Sequence, residues 1–322
     1  MFSKNSTNKS TNVSFNTFLS GTPARDYILQ DTPYDEQIAR AAEMLRAADS
    51  VLLGAGAGMS AAAGAQYGGK FFAEHFGEFQ KIYGNGPYMR DMYYAGFYPF
   101  PDQEAKWGFW SKLALTAGAD LDVTPLHKTL LDALAGKPLF LLSTNADHQF
   151  EKAGLSVEQI FQTQGSYNLI QCKRGCHQKT YNAVELFRQM EQVRQNGKIP
   201  SELVPKCPVC GGDMAMNLRV DNYFVEDENW RAAEERFSRF LSACKEKKTV
   251  LLELGVSFNT PMIIRFPFEK LTREHENISL VRLSRSKAMV PASIVDRSVG
   301  INADMAQSIT DIAAKLRDCG RE

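Results

Sequence analysis

The sequence predicts an α/β fold: a doubly wound, Rossmann-like parallel sheet interrupted by an inserted smaller domain. Three observations predict it. Short apolar runs at Val51–Leu53, Leu139–Leu142 and Val250–Leu254 read as strands buried on both faces, as in parallel sheets. Segments of helical i, i+3, i+4, i+7 periodicity lie between them. Two stretches of different texture, 66–117 and 166–222, interrupt that alternation.

The elements follow in order. Residues 1–30 are rich in Ser, Asn and Thr and read as a disordered or loosely ordered tail; the first 20 lack the Arg of a transit peptide. Ile38, Ala41, Ala42 and Leu45 make one helix face. The strand Val51–Leu53 runs directly into Gly54-Ala55-Gly56-Ala57-Gly58-Met59-Ser60 and an alanine-rich helix start. From Gln66 to Trp110 aromatics crowd the chain with no clean period, predicting a loop with short helices, either a mini-core or a lid over a pocket. Leu126, Leu130, Leu131 and Leu134 form a helix face that Gly136 stops. Leu139–Leu142 is a strand ending in Ser143-Thr144-Asn145-Ala146-Asp147, and a short strand near Ile160-Phe161 ends at Gln164-Gly165-Ser166. Trp230 through Cys244 is helical, Val250–Leu254 a strand ending in Gly255-Val256-Ser257, Ile278–Val281 a strand, and Met305 through Leu316 a last helix. The division that results assigns 31–65, 118–165 and 223–322 to the sheet domain and 66–117 with 166–222 to the small one.

Composition bounds the function. The chain has 322 residues with 37 basic and 37 acidic, so bulk attraction to nucleic acid and a polybasic membrane anchor are both excluded as expectations. No apolar run approaches the roughly 20 residues of a membrane span. Six cysteines in a chain this long are too sparse for a secreted disulfide framework, and with 11 methionines they fit a reducing cytoplasm.

Two motifs carry chemistry. Gly56, Gly58 and Ala61 satisfy the G-x-G-x-x-A form between a strand and a helix, either a tight turn or a site where backbone approaches a pyrophosphate at a helix N-terminus. The second strand ending in an acid about 20 residues on, which a dehydrogenase needs for the adenosine ribose, is missing. Cys172-x3-Cys176 and Cys207-x2-Cys210 present paired thiols suited to one tetrahedral, structural zinc ion, with His177 as an alternative to Cys176; free or redox-active thiols are the other reading.

These pieces, in this order, resemble the sirtuins over about residues 36–316. Gly56-Ala57-Gly58-Met59-Ser60 with Gly64 is similar to the family's Gly-Ala-Gly-x-Ser block. Ser143-Thr144-Asn145-Ala146-Asp147 is similar to Thr-Gln-Asn-x-Asp, Thr124-Pro125-Leu126-His127 looks like the helix start before it, and Gly255-Val256-Ser257 sits where the family has Gly-Thr-Ser. Two departures stand out. Ala65-Gln66-Tyr67-Gly68-Gly69 replaces Ile-Pro-Asp-Phe-Arg, and Gln164-Gly165-Ser166 replaces the His-Gly-Ser that holds the catalytic base. An amide does not titrate near neutral pH, so Gln164 orients by hydrogen bonds and takes no proton. With Gly255-Val256-Ser257-Phe258-Asn259-Thr260-Pro261, the combination looks like the macrodomain-linked, class M sirtuins of microbes.

That resemblance implies protein mono-ADP-ribosylation from NAD. It implies an acceptor resembling the lipoyl-carrying H protein of glycine cleavage, a macrodomain hydrolase on a separate chain that reverses the mark, a lipoate ligase nearby and a link to oxidative stress. It implies catalytic roles for Asn145 and Gln164 at the nicotinamide ribose and for Asp147 at the nicotinamide amide or developing positive charge. On the residues alone Asn145 also reads as a strand-end turn, Asp147 as a helix cap before Phe150, and Gln164 as a polar strand end. Cofactor contacts are implied along Gly54, Ala55, Gly56, Gly58, Met59, Ser60, Gly64, Ala65 and Tyr67, at Gly255, Val256, Ser257 and Asn259, and at Ser284 and Asp304 for adenosine. His127 reads as a structural hydrogen bonder, and His148 as an incidental neighbour of Asp147 or a rival base. An NAD-dependent deacylase working without the His, and an NAD or ADP-ribose sensor, remain the alternatives.

Overall fold

The structure, a computed structural model, describes residues 22–258 and 261–318. Its strands are β1 (Tyr27–Ile28), β2 (Ser50–Ala55), β3 (Leu139–Ser143), β4 (Ile160–Gln162), β5 (Gly165–Cys172), β6 (Thr180–Asn182), β7 (Met214–Leu218), β8 (Thr249–Leu254), β9 (Ile278–Ser284), β10 (Val290–Pro291) and β11 (Ser298–Asn302). Six of them form one sheet in the order β11-β9-β8-β2-β3-β4, with every pairing parallel. The chain enters at the centre on β2, moves outward through β3 and β4, then returns to the other side of β2 with β8. The strand order therefore reverses between β2 and β8, and a crevice opens at their carboxyl ends where α/β sheets bind ligands.

Alternation along each strand fills two cores. Val51, Leu53, Leu141 and Leu252 face the helices Tyr34–Ala47, Pro125–Ala133 and Met305–Asp318. Leu52, Phe140, Leu142 and Leu251 face the helices Glu228–Cys244 and Arg265–Glu274. Burial on both faces is why these strands read as unbroken apolar runs rather than alternating ones, each buried side chain contributing about 1.5–3 kcal/mol. The doubly wound sheet is borne out, as are the strands the apolar runs predicted. The edge strand β11 and the short β1–β10 pair were not anticipated, being too short or too rich in polar residues to stand out.

The aromatic stretch differs from expectation. It contains a 15-residue helix, Gly69–Tyr83, whose Phe72, Phe76 and Phe79 are fully buried along one face. The helical period is present, written in phenylalanines and obscured by Gly77 and by the surrounding aromatics. The next long helix, Gln103–Ala114, is capped by Asp102, which accepts the Ala105 N–H at 2.8 Å. It has no amphipathic period because it is clasped from two sides. Trp107 packs with Phe187 and Ile170 under the small sheet, while Phe109 packs among Phe76, Phe79 and Leu113. Segments 66–117 and 166–222 thus share a core through this helix. The small sheet is antiparallel, in the order β6-β5-β7.

Where the sequence suggested a loose tail to residue 30, residues 22–30 are held against the sheet domain. Tyr27 pairs with Pro291 in the β1–β10 ladder, and its hydroxyl donates to Glu269 Oε2 at 2.6 Å. Gln30 donates to the Ser298 carbonyl and accepts the Gly300 N–H. Tyr27 also closes a buried ion cluster. Arg282 pairs with Glu253 at 2.8 Å and with Glu269 at 2.9 Å, and Arg265 lies 3.5 Å from Glu253, all essentially inaccessible to solvent. Burial lowers Arg265 to about 10, which still leaves it charged at neutral pH. No described helix is long and apolar enough to cross a membrane.

Candidate active site

At the β2–β8 crevice the glycine loop packs backbone to backbone. The Gly56 N–H donates to the Leu254 carbonyl at 3.0 Å and the Gly58 N–H to the Gly255 carbonyl at 3.1 Å. A Cβ on Gly58 would lie 2.7 Å from Gly255 Cα, and Gly255 itself adopts a φ of +62°. These glycines are therefore needed for the two strand ends to meet, a reason the dinucleotide fingerprint alone did not give. A Cβ on Gly54 would strike Ile264 and Phe268, so that glycine serves helix packing. Ala55, Met59 and Val256 bury their side chains in the core, leaving only backbone for a ligand. Gly64 takes a φ of +98° with open space where a Cβ would be, and with Ala65 turns the chain toward Tyr67.

One hydrogen-bonded network joins the ends of β2 and β3. Ser60, on the short helix Ala57–Ala62, donates to Asp147 Oδ2 at 2.5 Å. Asn145 Nδ2 donates to the Gly56 carbonyl and to Ser60 Oγ, each at 3.1 Å. The Asn145 carbonyl accepts from Gln162 Nε2, which ties β4 to the same turn. Asp147 is 7% exposed, and its Oδ1 accepts the Gln149 N–H. The residue that caps the helix Gln149–Lys152 is His148, in a left-handed conformation, so Asp147 braces the turn one step earlier than the capping role expected of it. Burial, then the Asp147 charge, pushes the Tyr67 phenol up to about 12, and burial raises Tyr167 as well. Both phenols stay protonated as potential donors beside the carboxylate.

A cavity of about 280 Å³ opens beside this network, lined by Ser60, Gly64, Ala65, Thr124, His127 and Gln149. That is close to the lower end of small-molecule sites. His127 is wholly buried, with Nδ1 2.5 Å from Thr124 Oγ1 at the start of its helix, as expected of a structural hydrogen bonder. Its Nε2 is buried with no hydrogen-bond partner among the described residues. Burial lowers its pKa to about 4, so the ring is neutral at pH 7.

Gln164 follows β4 at the same carboxyl edge. Its carbonyl accepts the Arg219 N–H at 3.1 Å, and the next residue, Gly165, has a φ of +91° where a Cβ would overlap the Asn217 carbonyl. Gln164 is therefore set by fixed neighbours on both sides, since Thr163 donates its N–H to the Ser143 carbonyl. Arg219 adds a cation beside it, donating to the Thr163 carbonyl and stacking over Phe224 at 4.1 Å. Sequence reading missed Arg219, which sits in an aperiodic stretch with no motif around it.

The remaining expected contacts are dispersed. Ser257 is half-buried after Gly255, Ser284 ends β9 and accepts the Lys287 N–H, and Asp304 accepts the Gln307 N–H at the start of the last helix. Asn259 lies outside the described residues.

The four cysteines converge. Their sulfurs all lie within 4.8 Å of one another, with Cys172–Cys210 at 3.7 Å and Cys176–Cys207 at 3.6 Å. Zn–S bonds of 2.3 Å in a tetrahedron give S–S edges of about 3.8 Å, so the set fits structural zinc. Burial opposes ionisation of Cys172 and Cys207. The N–H groups of Cys176 and Arg174 at the first, and of Cys210 and Val209 at the second, outweigh it and hold both thiols below their usual range. His177 is outside the ligand set: its Nδ1 is 3.1 Å from the Cys176 sulfur and its Nε2 2.8 Å from the Tyr181 hydroxyl. It thus holds a ligand rather than replacing it.

No protein-family model matches the chain. It is 33% identical over 274 residues to a protein ADP-ribosyltransferase of Staphylococcus aureus strain Mu50, covering 84% of this chain and 86% of that protein. It is 29% identical over 300 residues to a probable bifunctional ADP-ribose hydrolase/ADP-ribosyltransferase of Fusarium oxysporum f. sp. cubense, and spans 48% of that longer protein. Among solved structures it resembles a Sir2 homologue in complex with NAD, with a TM-score of 0.57 and 14% identity over 92% of this chain and 99% of that one. A Sir2 enzyme solved for its mechanism and regulation superposes with a TM-score of 0.53 and 16% identity over 88% of this chain and 99% of that one.

Proposed function

Because the chain belongs to the protein ADP-ribosyltransferases of the sirtuin fold, we propose that it transfers ADP-ribose from NAD to a lipoyl-carrier protein resembling the glycine-cleavage H protein, releasing nicotinamide. The observation that carries the reading is the pairing of the Ser60–Asn145–Asp147 network with an amide, Gln164, at the sirtuin base position. A deacylase needs that base to activate a ribose hydroxyl, whereas glycosidic transfer from NAD first needs positioning and charge stabilisation.

The residues supply that support in the following way. Bound NAD supplies the ADP-ribose and a good leaving group. Asp147, oriented by Ser60, answers positive charge that develops in and beside the cavity, where a preorganised dipole or charge costs no reorganisation at the moment of reaction. Asn145 fixes the ribose relative to the glycine loop, Gln164 orients the ribose or the incoming acceptor, and Tyr67 and Tyr167 wall off water, which would otherwise compete as acceptor. The loops at Gly56–Ser60 and Gly255–Ser257 hold phosphate and ribose, with Ser284 and Asp304 toward adenosine. Zinc at the four cysteines is structural and stands outside the reaction. A macrodomain hydrolase and a lipoate ligase complete the proposed system, and the pairing of an ADP-ribose hydrolase with an ADP-ribosyltransferase in the fungal relative supports the first of these.

The test is to incubate the chain with NAD and a lipoylated carrier protein and read intact masses. A gain of one ADP-ribose is expected. Loss of an acyl group with an acyl-ADP-ribose product replaces this reading with deacylation, and tight NAD binding with neither product replaces it with a sensor.

A further inference from the structure

The buried cluster of Arg265, Arg282, Glu253 and Glu269 does more than pair its own charges. Ion pairs are an unfavourable way to fill a core, since hydrophobic residues of similar volume usually stabilise as well or better. What guanidinium groups add is hydrogen-bond donors fixed in direction. Arg265, wholly buried, donates from Nη1 to the Lys287 carbonyl at 3.1 Å and from Nη2 to the Met289 carbonyl at 3.0 Å. Arg282 donates to the same Met289 carbonyl at 2.6 Å. Both carbonyls belong to the loop that follows β9. Arg265 also reaches the loop that follows β8, where its Cζ lies over the Phe258 ring, 4.0 Å from the ring centre. Tyr27 adds a nearly perpendicular ring contact to Phe258, with centroids 6.3 Å apart, while its hydroxyl donates to Glu269. One buried side chain thus touches two loops.

The two loops leave the sheet side by side. Leu254 pairs with Leu283 in the parallel β8–β9 register, and the Gly255 N–H donates to the Leu283 carbonyl at 3.0 Å. Gly255 meets Gly58, so both loops continue from the glycine loop on the side of β2 opposite β3. The cavity beside Ser60 and His127, about 280 Å³, is too small for both halves of a dinucleotide. In doubly wound sheets a dinucleotide lies across the crevice where the strand order reverses. With the nicotinamide half near Asp147, the adenosine half falls along the loops after β8 and β9. Ser284, expected at the adenosine ribose, accepts the Lys287 N–H at 3.1 Å, so the position of Lys287 carries over to it.

We propose that Arg265 is a positioning residue for the adenosine half of NAD, locking the loop after β8 to the loop after β9 through Phe258 on one side and the Lys287 and Met289 carbonyls on the other. The proposal rests on the NAD-dependent reading above. Arg265 acts through the spacing of the loops and not on the cofactor itself. A lysine in its place keeps the charge that Glu253 and Glu269 face. It lacks the fork that holds two carbonyls at once and the flat face that stacks on a ring.

The test compares the full chain with Arg265→Lys and Phe258→Leu. It reads affinities for NAD, ADP-ribose and nicotinamide mononucleotide, which lacks the adenosine half, with kcat and KM for nicotinamide release from NAD. Arg265→Lys should bind NAD and ADP-ribose about tenfold more weakly and keep its affinity for the mononucleotide within about twofold. KM for NAD should rise by the same factor with kcat within about threefold, as when binding common to ground and transition states is lost. Phe258→Leu should shift the same ligands in the same direction by about threefold. Equal losses for all three ligands, or a fall in kcat at unchanged KM, overturn the proposal, because a merely structural role weakens both halves alike. Unchanged NAD affinity in both variants overturns it too. Wild-type protein that binds NAD but releases no nicotinamide overturns the transferase reading and leaves the affinities to decide this one. Wild-type protein that binds no NAD overturns both. If Arg265→Lys fails to fold, Phe258→Leu decides by the same criteria.

Discussion

Gly58 and Gly255 meet backbone to backbone across the point where the strand order reverses. A Cβ on Gly255 would lie 2.5 Å from Gly58 Cα, and one on Gly58 would lie 2.7 Å from both Gly255 Cα and its carbonyl oxygen. The contact closes the floor of the crevice, and neither side has a flexible atom to yield. Gly58→Ala should cost about 1–3 kcal/mol through overpacking, and Gly255→Ala about 1–2 kcal/mol more because its φ is positive. Gly64→Ala is the control. Its φ is also positive but its Cβ would enter open space, so only the backbone term applies. Urea unfolding midpoints should rank the three with Gly255→Ala lowest. Gly58→Ala with wild-type stability and NAD affinity would show that the loops do not touch this way.

Removing zinc should loosen one part of the molecule. Cys172 and Cys207 are members of the same core as Trp107, Phe187 and Met214, so the ligands are also packing residues. Chelation should expose amides of residues 166–222 to hydrogen exchange while β2 and β8 keep their protection. Cys176→Ser should lower the zinc content below one per chain, whereas His177→Ala should leave it at one. Metal-free protein with unchanged exchange in 166–222, or loss of zinc in His177→Ala, would contradict the ligand set.

How legible all this was depended on whether a residue's reason is local. The β2 run and the helix carrying Ile38, Ala41 and Leu45 announce themselves because period and burial coincide within a few residues. The paired cysteines do so because a tetrahedral ion dictates short spacing. The helix Gln103–Ala114 did not, because two cores clasp it and its apolar residues follow no single face. Arg219, Glu253 and Arg282 did not either. Their meaning lies in partners far along the chain, and a charge inside a strand run such as Glu253 in β8 gives no hint of Arg282 until the register of β8 on β9 is known. The glycine loop was legible as a loop, but its contact with Gly255 was not.

Asn145→Ala and Gln164→Ala should abolish transfer while the fold survives. Asn145 is half-buried and its amide spans Gly56 and Ser60, so its loss removes a link without opening the core. Asp147→Asn keeps the shape, but an amide can no longer answer positive charge. We expect each to lower transfer by at least about 10²-fold, with thermal midpoints within a few degrees of wild type. Full activity in Asn145→Ala together with Gln164→Ala would refute the site.

The buried ion cluster should be intolerant of losing one charge. Two arginines face two glutamates with no solvent to screen them, and Glu253 contacts both cations. Glu253→Gln leaves an uncompensated buried guanidinium and should cost about 3–5 kcal/mol in denaturant unfolding. Tyr27→Phe removes the hydrogen bond to Glu269 while leaving both arginines and both glutamates in place, and should cost about 1.5–3 kcal/mol, since that acceptor is charged. Equal losses in the two variants would mean the cluster is screened by water.

His127 should make stability depend on pH in a definite window. Its pKa is about 4 in the fold, against an ordinary 6.5, because burial disfavours the charged ring. Between those values the unfolded chain binds a proton that the folded chain does not. The sign follows directly: stability rises with pH across this window and falls as pH drops from about 6.5 toward 4. A shift of this size is worth at most about 3 kcal/mol, fully expressed above pH 6.5 and gone below pH 4. Urea unfolding at pH 7.0 and 5.0 should therefore show a loss of stability that shrinks by about 2 kcal/mol in His127→Gln, whose side chain does not titrate. The variant keeps an amide to pair with Thr124, so its stability at pH 5.0 relative to pH 7.0 isolates the proton from the hydrogen bond. Wild type and variant losing the same stability between the two pH values would mean the ring takes up a proton in the fold as readily as in the unfolded chain.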